Sequence, residues 1–151
     1  IRRARIQTAG LPHVVLQTAD LSTLTLADDA FDCIVAIATL HHLPLAPTLA
    51  QLRTALRPGG VLLVLDLYAD ASWRATAHHL LAVPVSRALW LVHRRSLRPS
   101  PAERAAWAAH GAHDVYPTLP EVRAAAATTL PGAVVRRLLL WRYALRWVKP
   151  A

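Results

Sequence analysis

Two apolar runs separated by a helical pattern stand out along the chain. Residues 33–37 are apolar without interruption, and a second run covers Val61 to Leu65 after the Pro-Gly-Gly turn at 58–60. An uninterrupted apolar run of this length is typical of a parallel strand covered on both faces. Between the two runs, apolar residues at 49, 52, 55 and 56 recur at helical spacing. The pattern predicts a β-α-β unit and therefore an α/β fold.

The first predicted strand ends at a turn that carries two histidines. Ile37 is followed by three residues and then by His41 and His42. Ligands bind beyond the carboxyl ends of strands in open α/β sheets, so we expect the chemistry at this turn. Either histidine could act as a general base, because an imidazole titrates near neutral pH. His42 could equally pack as a structural residue at the start of the next helix.

The residues before this unit contain a helix and one more predicted strand. The helix covers residues 1–9 and ends at Gly10. Val14 to Gln17 form a short apolar segment that predicts a strand, and Asp20 follows it. A carboxylate there could bind a ligand or could simply turn the chain.

The chain after Asp66 is predicted to be mainly helical. Residues 71–92 have a helical pattern with a break near Pro84. Capping signals at Ser100 and Thr118 predict two further helices. The predicted helix at 71–92 could be a lid over a site or part of the core. A helix lying on a membrane surface is a third possibility.

The last notable stretch, residues 133–148, is predicted to form a β-hairpin. Polar and apolar side chains alternate from Arg142 to Trp147, which is the period of a half-buried strand. A long basic helix is the competing interpretation. The Pro-Gly pair at 131–132 before the stretch and the Lys-Pro pair at 149–150 after it favour the hairpin.

Composition narrows the class of protein. The chain has 151 residues, enough for one domain, and 54% of them are hydrophobic, which excludes disorder as the default. Its one cysteine, Cys33, cannot form a disulfide within the chain, so we expect a buried thiol and a reducing cytoplasm. No signal peptide is evident, and the apolar stretch at 80–92 is shorter than the roughly 20 residues that span a membrane. The chain starts with Ile and contains no Met, so we expect a fragment.

Two functional classes are disfavoured. The net charge of +8 is compatible with nucleic-acid binding, but the cations are nearly all arginines spread along the chain. Metal binding is also disfavoured. Neighbouring helical positions such as His78 and His79 point about 100° apart. His110 and His113 could share a face, but no Cys or carboxylate cluster accompanies them.

The central residues resemble a known family. The sequence FDCIVAIATLHHL, followed by LRTALRPGGVLLVLD, is similar to the fourth strand, next helix and fifth strand of class I S-adenosylmethionine-dependent methyltransferases. The resemblance implies a Rossmann-like, doubly wound sheet with a C-terminal antiparallel hairpin. It also implies one partial domain over 1–151, with a helical insertion at about 71–113.

The resemblance also implies site residues. In the family, an acidic residue and the backbone N–H after it hold adenine, which here are Asp20 and Leu21. A carbonyl near the end of the fourth strand contacts the methionine part of S-adenosylmethionine, and this position falls on Ile37, with Ala38 beside it. Tyr68 follows the fifth strand, where the family places its substrate cavity. A small molecule is the expected methyl acceptor.

The family's glycine-rich cofactor loop is not among these residues, because none of the five glycines lies in a GxGxG pattern. The chain is therefore expected to lack the first two strands, which would leave an apolar sheet edge unpaired. We expect the 151-residue chain alone to be unstable and a poor cofactor binder. The alternative to an enzyme is a cofactor-incompetent fragment or interaction module with the same fold.

Overall fold

The computed structural model describes residues 1–69, 73–94, 100–111 and 116–151. The helices and strands in chain order are α1 (Arg2–Thr8), β1 (Phe31–Ile37), a short 3-10 turn (Leu40–His42), α2 (Leu45–Ala55), β2 (Leu56–Leu67), α3 (Trp73–Arg94), α4 (Pro101–Gly111), α5 (Leu119–Thr129), β3 (Val134–Arg137) and β4 (Arg142–Val148).

The four strands form one mixed sheet in the order β1-β2-β4-β3. β1 and β2 are parallel, with Val35 opposite Leu63, and α2 is the crossover between them. β4 is antiparallel to β2, and β3 pairs with β4 as a hairpin. The predicted β-α-β unit and C-terminal hairpin are both confirmed, and the alternative of a long basic helix is wrong.

The predicted strand at Val14 to Gln17 is not formed. This segment is irregular, Val15 is exposed, and the N–H of Val14 closes a turn onto the carbonyl of Leu11. A strand needs a neighbour for its backbone groups. Within the described residues, β1 pairs only with β2, so no partner strand extends the sheet beyond β1.

One face of the sheet carries the core. Alternate residues of β2 and β4 point into it, and α2 and α5 pack against it and against each other. The residues buried there include Leu49, Leu62, Val64, Val122 and Leu145. Trp147 closes the edge of this core, and its indole N–H donates to the carbonyl of Pro131 at 2.9 Å. The inward-facing side chains of the strands, at every second residue, and of the helices, at every third or fourth residue, therefore form one continuous apolar layer.

The opposite face of the sheet is largely bare. Val35 and Ile37 are 58% and 62% exposed, and Cys33 is exposed beside them. The prediction that β1 is covered on both faces is therefore wrong, as is the buried position expected for Cys33. The physical reason is that α2 and α5 both pack on the other side. An apolar strand acquires two covered faces only when helices pack on each of them.

The predicted break near Pro84 also differs from the structure, because α3 continues through this residue. Proline lacks an N–H and crowds the carbonyl four residues earlier, which destabilises a helix interior by about 3 kcal/mol. Pro84 is exposed, so water can reach the carbonyl that loses its partner.

The Pro-Gly-Gly segment belongs to the first part of β2 instead of forming a separate turn. Phe31 pairs with Leu56, but Cys33 pairs with Val61, so β2 has extra residues at this point. The backbone bends at Gly59, where φ is +78°, a conformation that favours glycine. The segment is fixed to the end of β4, because the N–H of Gly59 donates to the carbonyl of Lys149.

Gly60 is expected to be intolerant of substitution. A Cβ there would stand 2.8 Å from the carbonyl oxygen of Arg57 and 3.2 Å from that of Asp32. Both obstacles are backbone atoms, so Gly60→Ala should lower the free energy of unfolding by about 1–3 kcal/mol. Urea denaturation measures this change. Gly10→Ala is the control, since a Cβ at Gly10 meets nothing within 4 Å. Equal effects at both glycines would contradict the prediction.

Candidate active site

The carboxylate of Asp66 organises the turn after β1. β1 and β2 are adjacent and parallel, so their carboxyl ends lie at one edge of the sheet. Asp66 continues the inward-facing series of β2 and is only 1% exposed. Its Oδ2 accepts hydrogen bonds from the backbone N–H groups of Thr39 at 3.1 Å and Leu40 at 2.5 Å. One buried side chain of β2 thereby determines the path of the chain leaving β1.

The turn begins with a left-handed residue. Ala38 has a φ of +49°, which is unfavourable for a residue with a Cβ. Its N–H still donates to the carbonyl of Leu65, so the strand pairing extends to this point. The conformation is held by these hydrogen bonds and those to Asp66, as expected for strained backbone near a functional site.

His41 is paired with Asp66 inside the protein. Its Nδ1 lies 2.5 Å from Oδ1 of Asp66, and the same oxygen accepts the N–H of Leu67 at 2.7 Å. His41 is 3% exposed. A carboxylate accepts hydrogen bonds, which assigns the Nδ1 proton to the neutral imidazole and leaves a lone pair on Nε2. Among the described residues, the His41 ring makes no hydrogen bond besides the one to Asp66.

Two rings pack against the His41 imidazole. The Tyr116 ring stacks on it with centroids 5.2 Å apart and planes inclined by 19°, and the His42 ring lies 3.9 Å away. The segment bearing Tyr116 is joined to the end of β2, because the N–H of Ala69 donates to the carbonyl of Pro117. His41 is therefore held by a carboxylate on one side and an aromatic ring on another.

A cavity of about 780 Å³ opens beside these rings. It lies between the amino ends of α2 and α5, and Glu121 closes one wall. Glu121 accepts the N–H and hydroxyl of Thr118, and these bonds lower the pKa of its carboxyl. The lining residues are His41, His42, Leu43, Pro44, Leu45, Ala46, Tyr116, Pro117, Thr118, Glu121 and Ala125. This volume is in the range of small-molecule sites.

The structure separates the three catalytic candidates predicted from sequence. His41 and His42 line the cavity, whereas Tyr68 is buried on the core face of the sheet, with the Arg137 guanidinium 5.4 Å from its ring centroid. Sequence reasoning missed the roles of Asp66 and Tyr116. A carboxylate ending an apolar strand was a usable signal for Asp66. Nothing in the sequence links Tyr116 to a histidine 75 positions earlier.

The predicted cofactor residues lie in two places. Asp20 begins an exposed turn in which its Oδ1 accepts the hydroxyl of Ser22 at 2.7 Å and the N–H of Ser22 at 2.9 Å. These two bonds lower the pKa of Asp20, so its carboxylate is ionised at neutral pH. The turn is tied to α2 by Gln51, whose side chain donates to the carbonyl of Leu24. Ile37 and Ala38 are at the end of β1.

Two further observations concern the described residues alone. They contain no group of three or more His, Cys, Asp or Glu side chains that could hold a metal ion. His113 lies outside them, and the side chains of His78, His79 and His110 are not described. None of the described helices has both the length and the apolar character needed to cross a membrane.

Comparisons with known proteins agree with this architecture. A family model described as "Methyltransferase domain" matches residues 1–64. An uncharacterized methyltransferase of Mycobacterium tuberculosis is 32% identical over 154 residues, covering 99% of this chain and 71% of that protein.

Solved structures extend the similarity to the fold. The CurJ carbon methyltransferase has a TM-score of 0.61 at 15% identity, over 99% of this chain and 39% of its own. A SAM-dependent methyltransferase from Aquifex aeolicus has a TM-score of 0.53 at 15% identity, over 97% of this chain and 60% of its own. The chain thus spans less than two thirds of either solved structure. By its motifs, fold and relatives, the chain belongs to the class I S-adenosylmethionine-dependent methyltransferases.

Proposed function

We propose that this chain supplies the acceptor side of an S-adenosylmethionine-dependent methyltransferase that acts on a small-molecule nucleophile, with His41 as its general base. The observation that carries the proposal is the buried hydrogen bond between His41 and Asp66 in the wall of a small-molecule-sized cavity. A charged partner placed behind a histidine is the usual arrangement for holding an imidazole in one orientation and tautomer.

The pair supports proton transfer in a definite direction. When bound, S-adenosylmethionine supplies an electrophilic methyl group. The acceptor attacks it through O, N or C and must lose a proton, which passes to Nε2 of His41. Asp66 holds the Nδ1 proton and stabilises the imidazolium that forms. The hydrogen bonds from the N–H groups of Thr39 and Leu40 to Asp66 hold the turn, and with it the His41 ring, in place during this step.

The residues proposed for the cofactor have suitable free groups. Asp20 is ionised and exposed, so it can accept a bond from the adenine amine. The N–H of Leu21 has no acceptor among the described residues, so it can donate to the adenine ring. The carbonyl of Ile37 accepts a hydrogen bond from the Thr39 hydroxyl at 2.9 Å, and a carbonyl oxygen has two lone pairs. Ala38 lies beside Ile37, and its N–H donates to the carbonyl of Leu65.

The acceptor is proposed to be small because the volume of the cavity, about 780 Å³, lies in the range of small-molecule sites. The unit itself is proposed to be a single domain with a helical insertion over about 71–113, a range that holds α3 and α4. The cytoplasm is the proposed location, since an exposed lone thiol such as Cys33 persists in reducing compartments.

Cofactor binding tests the proposal. Isothermal titration of the protein that carries this chain with S-adenosylhomocysteine should show binding, and Asp20→Ala should weaken it roughly 10- to 100-fold by removing a charged hydrogen-bond acceptor. Asp28→Ala is the matched control, an exposed carboxylate in the same loop region whose loss should leave the affinity unchanged. A folded protein that binds no cofactor would instead favour an interaction module, for which the bare apolar sheet face offers a surface.

Transfer of labelled methyl groups identifies the acceptor class. Phenols, amines and activated carbon acids should be tried as acceptors, because each loses a proton on methylation. Labelling of at least one of them by the wild-type protein is expected. Labelling of proteins or nucleic acids alone would contradict the small-molecule proposal.

A further inference from the structure

The cavity beside His41 contains a carboxylate that the proposed proton transfer does not use. Glu121 lies in the cavity wall, whereas no Lys or Arg of the described part of the chain lines it. The chain as a whole has 17 Lys and Arg against 9 Asp and Glu, so this wall departs from the average charge of the protein. The fixed charge that the described wall presents to a ligand is therefore negative.

One oxygen of Glu121 is available to a ligand. Its Oε2 accepts the N–H of Thr118 at 2.7 Å and the Thr118 hydroxyl at 2.8 Å, as part of the capping box of α5. Its Oε1 makes no hydrogen bond within the described residues. The two bonds from Thr118 lower the pKa of the Glu121 carboxyl, so the group is ionised at neutral pH. The capping box thus holds a charged oxygen at a fixed place in the cavity wall.

An ionised carboxylate oxygen in such a wall favours a ligand that donates hydrogen bonds and carries a positive charge. A protonated amine does both, and a charge-assisted hydrogen bond is about twice as strong as a neutral one. A carboxylate or phosphate on the ligand would be repelled. The apolar side chains of Leu43, Leu45 and Ala125 line the same cavity and can contact the carbon skeleton of the ligand.

We propose that Glu121 is a specificity-determining residue, whose Oε1 binds a protonated amine of the acceptor while the reacting nucleophile faces His41. The inference rests on the proposed function, because it names the class of acceptor for the same cavity. The amine anchors the acceptor and keeps its protons. The nucleophile forms a bond to the methyl carbon, the bond between that carbon and sulfur breaks, and the proton of the nucleophile passes to Nε2 of His41.

Three phenols of similar shape test the proposal by calorimetric titration of the protein that carries this chain, in the presence of excess S-adenosylhomocysteine. Tyramine carries a positive charge, para-ethylphenol carries none, and para-hydroxyphenylacetate carries a negative charge. Tyramine should bind roughly fivefold more tightly than para-ethylphenol, which is the upper end for an ion pair open to solvent. The acetate should bind most weakly, and salt should reduce the preference for tyramine.

Glu121→Gln removes the charge and should leave the protein folded, because glutamine also serves at this position of a capping box. The variant should bind tyramine no more tightly than para-ethylphenol, and its affinity for para-ethylphenol should match that of the wild type. Glu103→Gln is the matched control. Glu103 has the same position in the capping box that Ser100 forms at α4, and it does not line the cavity. This second variant should keep the preference for tyramine.

The titrations measure binding and need no methyl transfer, so their failure is distinct from failure of the proposed function. Equal affinity of the wild type for tyramine and para-ethylphenol, or no binding of any of the three phenols, would overturn the inference. So would a preference for tyramine that persists in Glu121→Gln or disappears equally in Glu103→Gln. A folded protein that prefers tyramine through Glu121 but methylates no acceptor would support the inferred binding specificity and refute the proposed reaction.

Discussion

His41→Gln is expected to lower the rate of methyl transfer roughly 100- to 10,000-fold at saturating cofactor, the range for loss of a general base. Glutamine preserves much of the volume and can still hydrogen-bond to Asp66, but it cannot take up a proton. The expected loss therefore falls on turnover, while the affinity for S-adenosylhomocysteine stays within about twofold, because His41 lies on the acceptor side of the site. Transfer of labelled methyl groups to the acceptor identified above measures the rate.

Two matched variants decide what a loss at His41 means. His13→Gln removes an exposed histidine distant in sequence from the cavity and should leave the rate unchanged. His42→Gln removes the neighbouring ring, which lines the same cavity, whereas the ring bonded to Asp66 is that of His41. A larger loss at His42 than at His41 would transfer the role of base to His42. Unchanged turnover in both would show that alignment alone suffices.

Asp66→Ala is expected to destabilise the protein by about 3–5 kcal/mol, because several hydrogen-bond donors lose their acceptor and each buried donor left unpaired costs about 1–3 kcal/mol. The substitution removes the acceptor of four groups at once: the N–H groups of Thr39, Leu40 and Leu67 and Nδ1 of His41. Leu40 and His41 are buried, so water cannot readily replace the carboxylate. A loss of this size is a large part of the 5–15 kcal/mol typical of a domain. Chemical denaturation followed by circular dichroism measures it.

Asp32→Ala is the control for this stability change. The Asp32 carboxylate, on the neighbouring strand, pairs with Arg57 but is mostly exposed. Its loss should lower the free energy of unfolding by no more than about 1 kcal/mol. Similar effects at Asp32 and Asp66 would contradict the organising role of Asp66. Asp66→Asn keeps one oxygen acceptor, so this variant should be more stable than Asp66→Ala. Its turnover should fall while the affinity for S-adenosylhomocysteine is unchanged, a split that general destabilisation would not produce.

Three of the four strands could be predicted individually from local sequence patterns. The apolar runs identified β1 and β2, and the alternation from Arg142 to Trp147 identified β4, because these signals are local and repeat along the chain. The family motifs then implied the topology. The segment at Val14 to Gln17 has the same local pattern but forms no strand, since pairing depends on a neighbouring strand that the segment itself cannot supply.

The sequence by itself determined the α/β class, the β-α-β unit, the hairpin and the turn on which His41 and His42 lie. Each of these follows from residue types close together in the chain. Only the tertiary structure decided that Cys33 and Ile37 lie on a bare face, that Asp66 pairs with His41, and that Tyr116 stacks on the same ring. These contacts join residues 25 and 75 positions apart. Which side chains meet across such separations depends on the register of neighbouring strands and on the packing of helices against one face of the sheet.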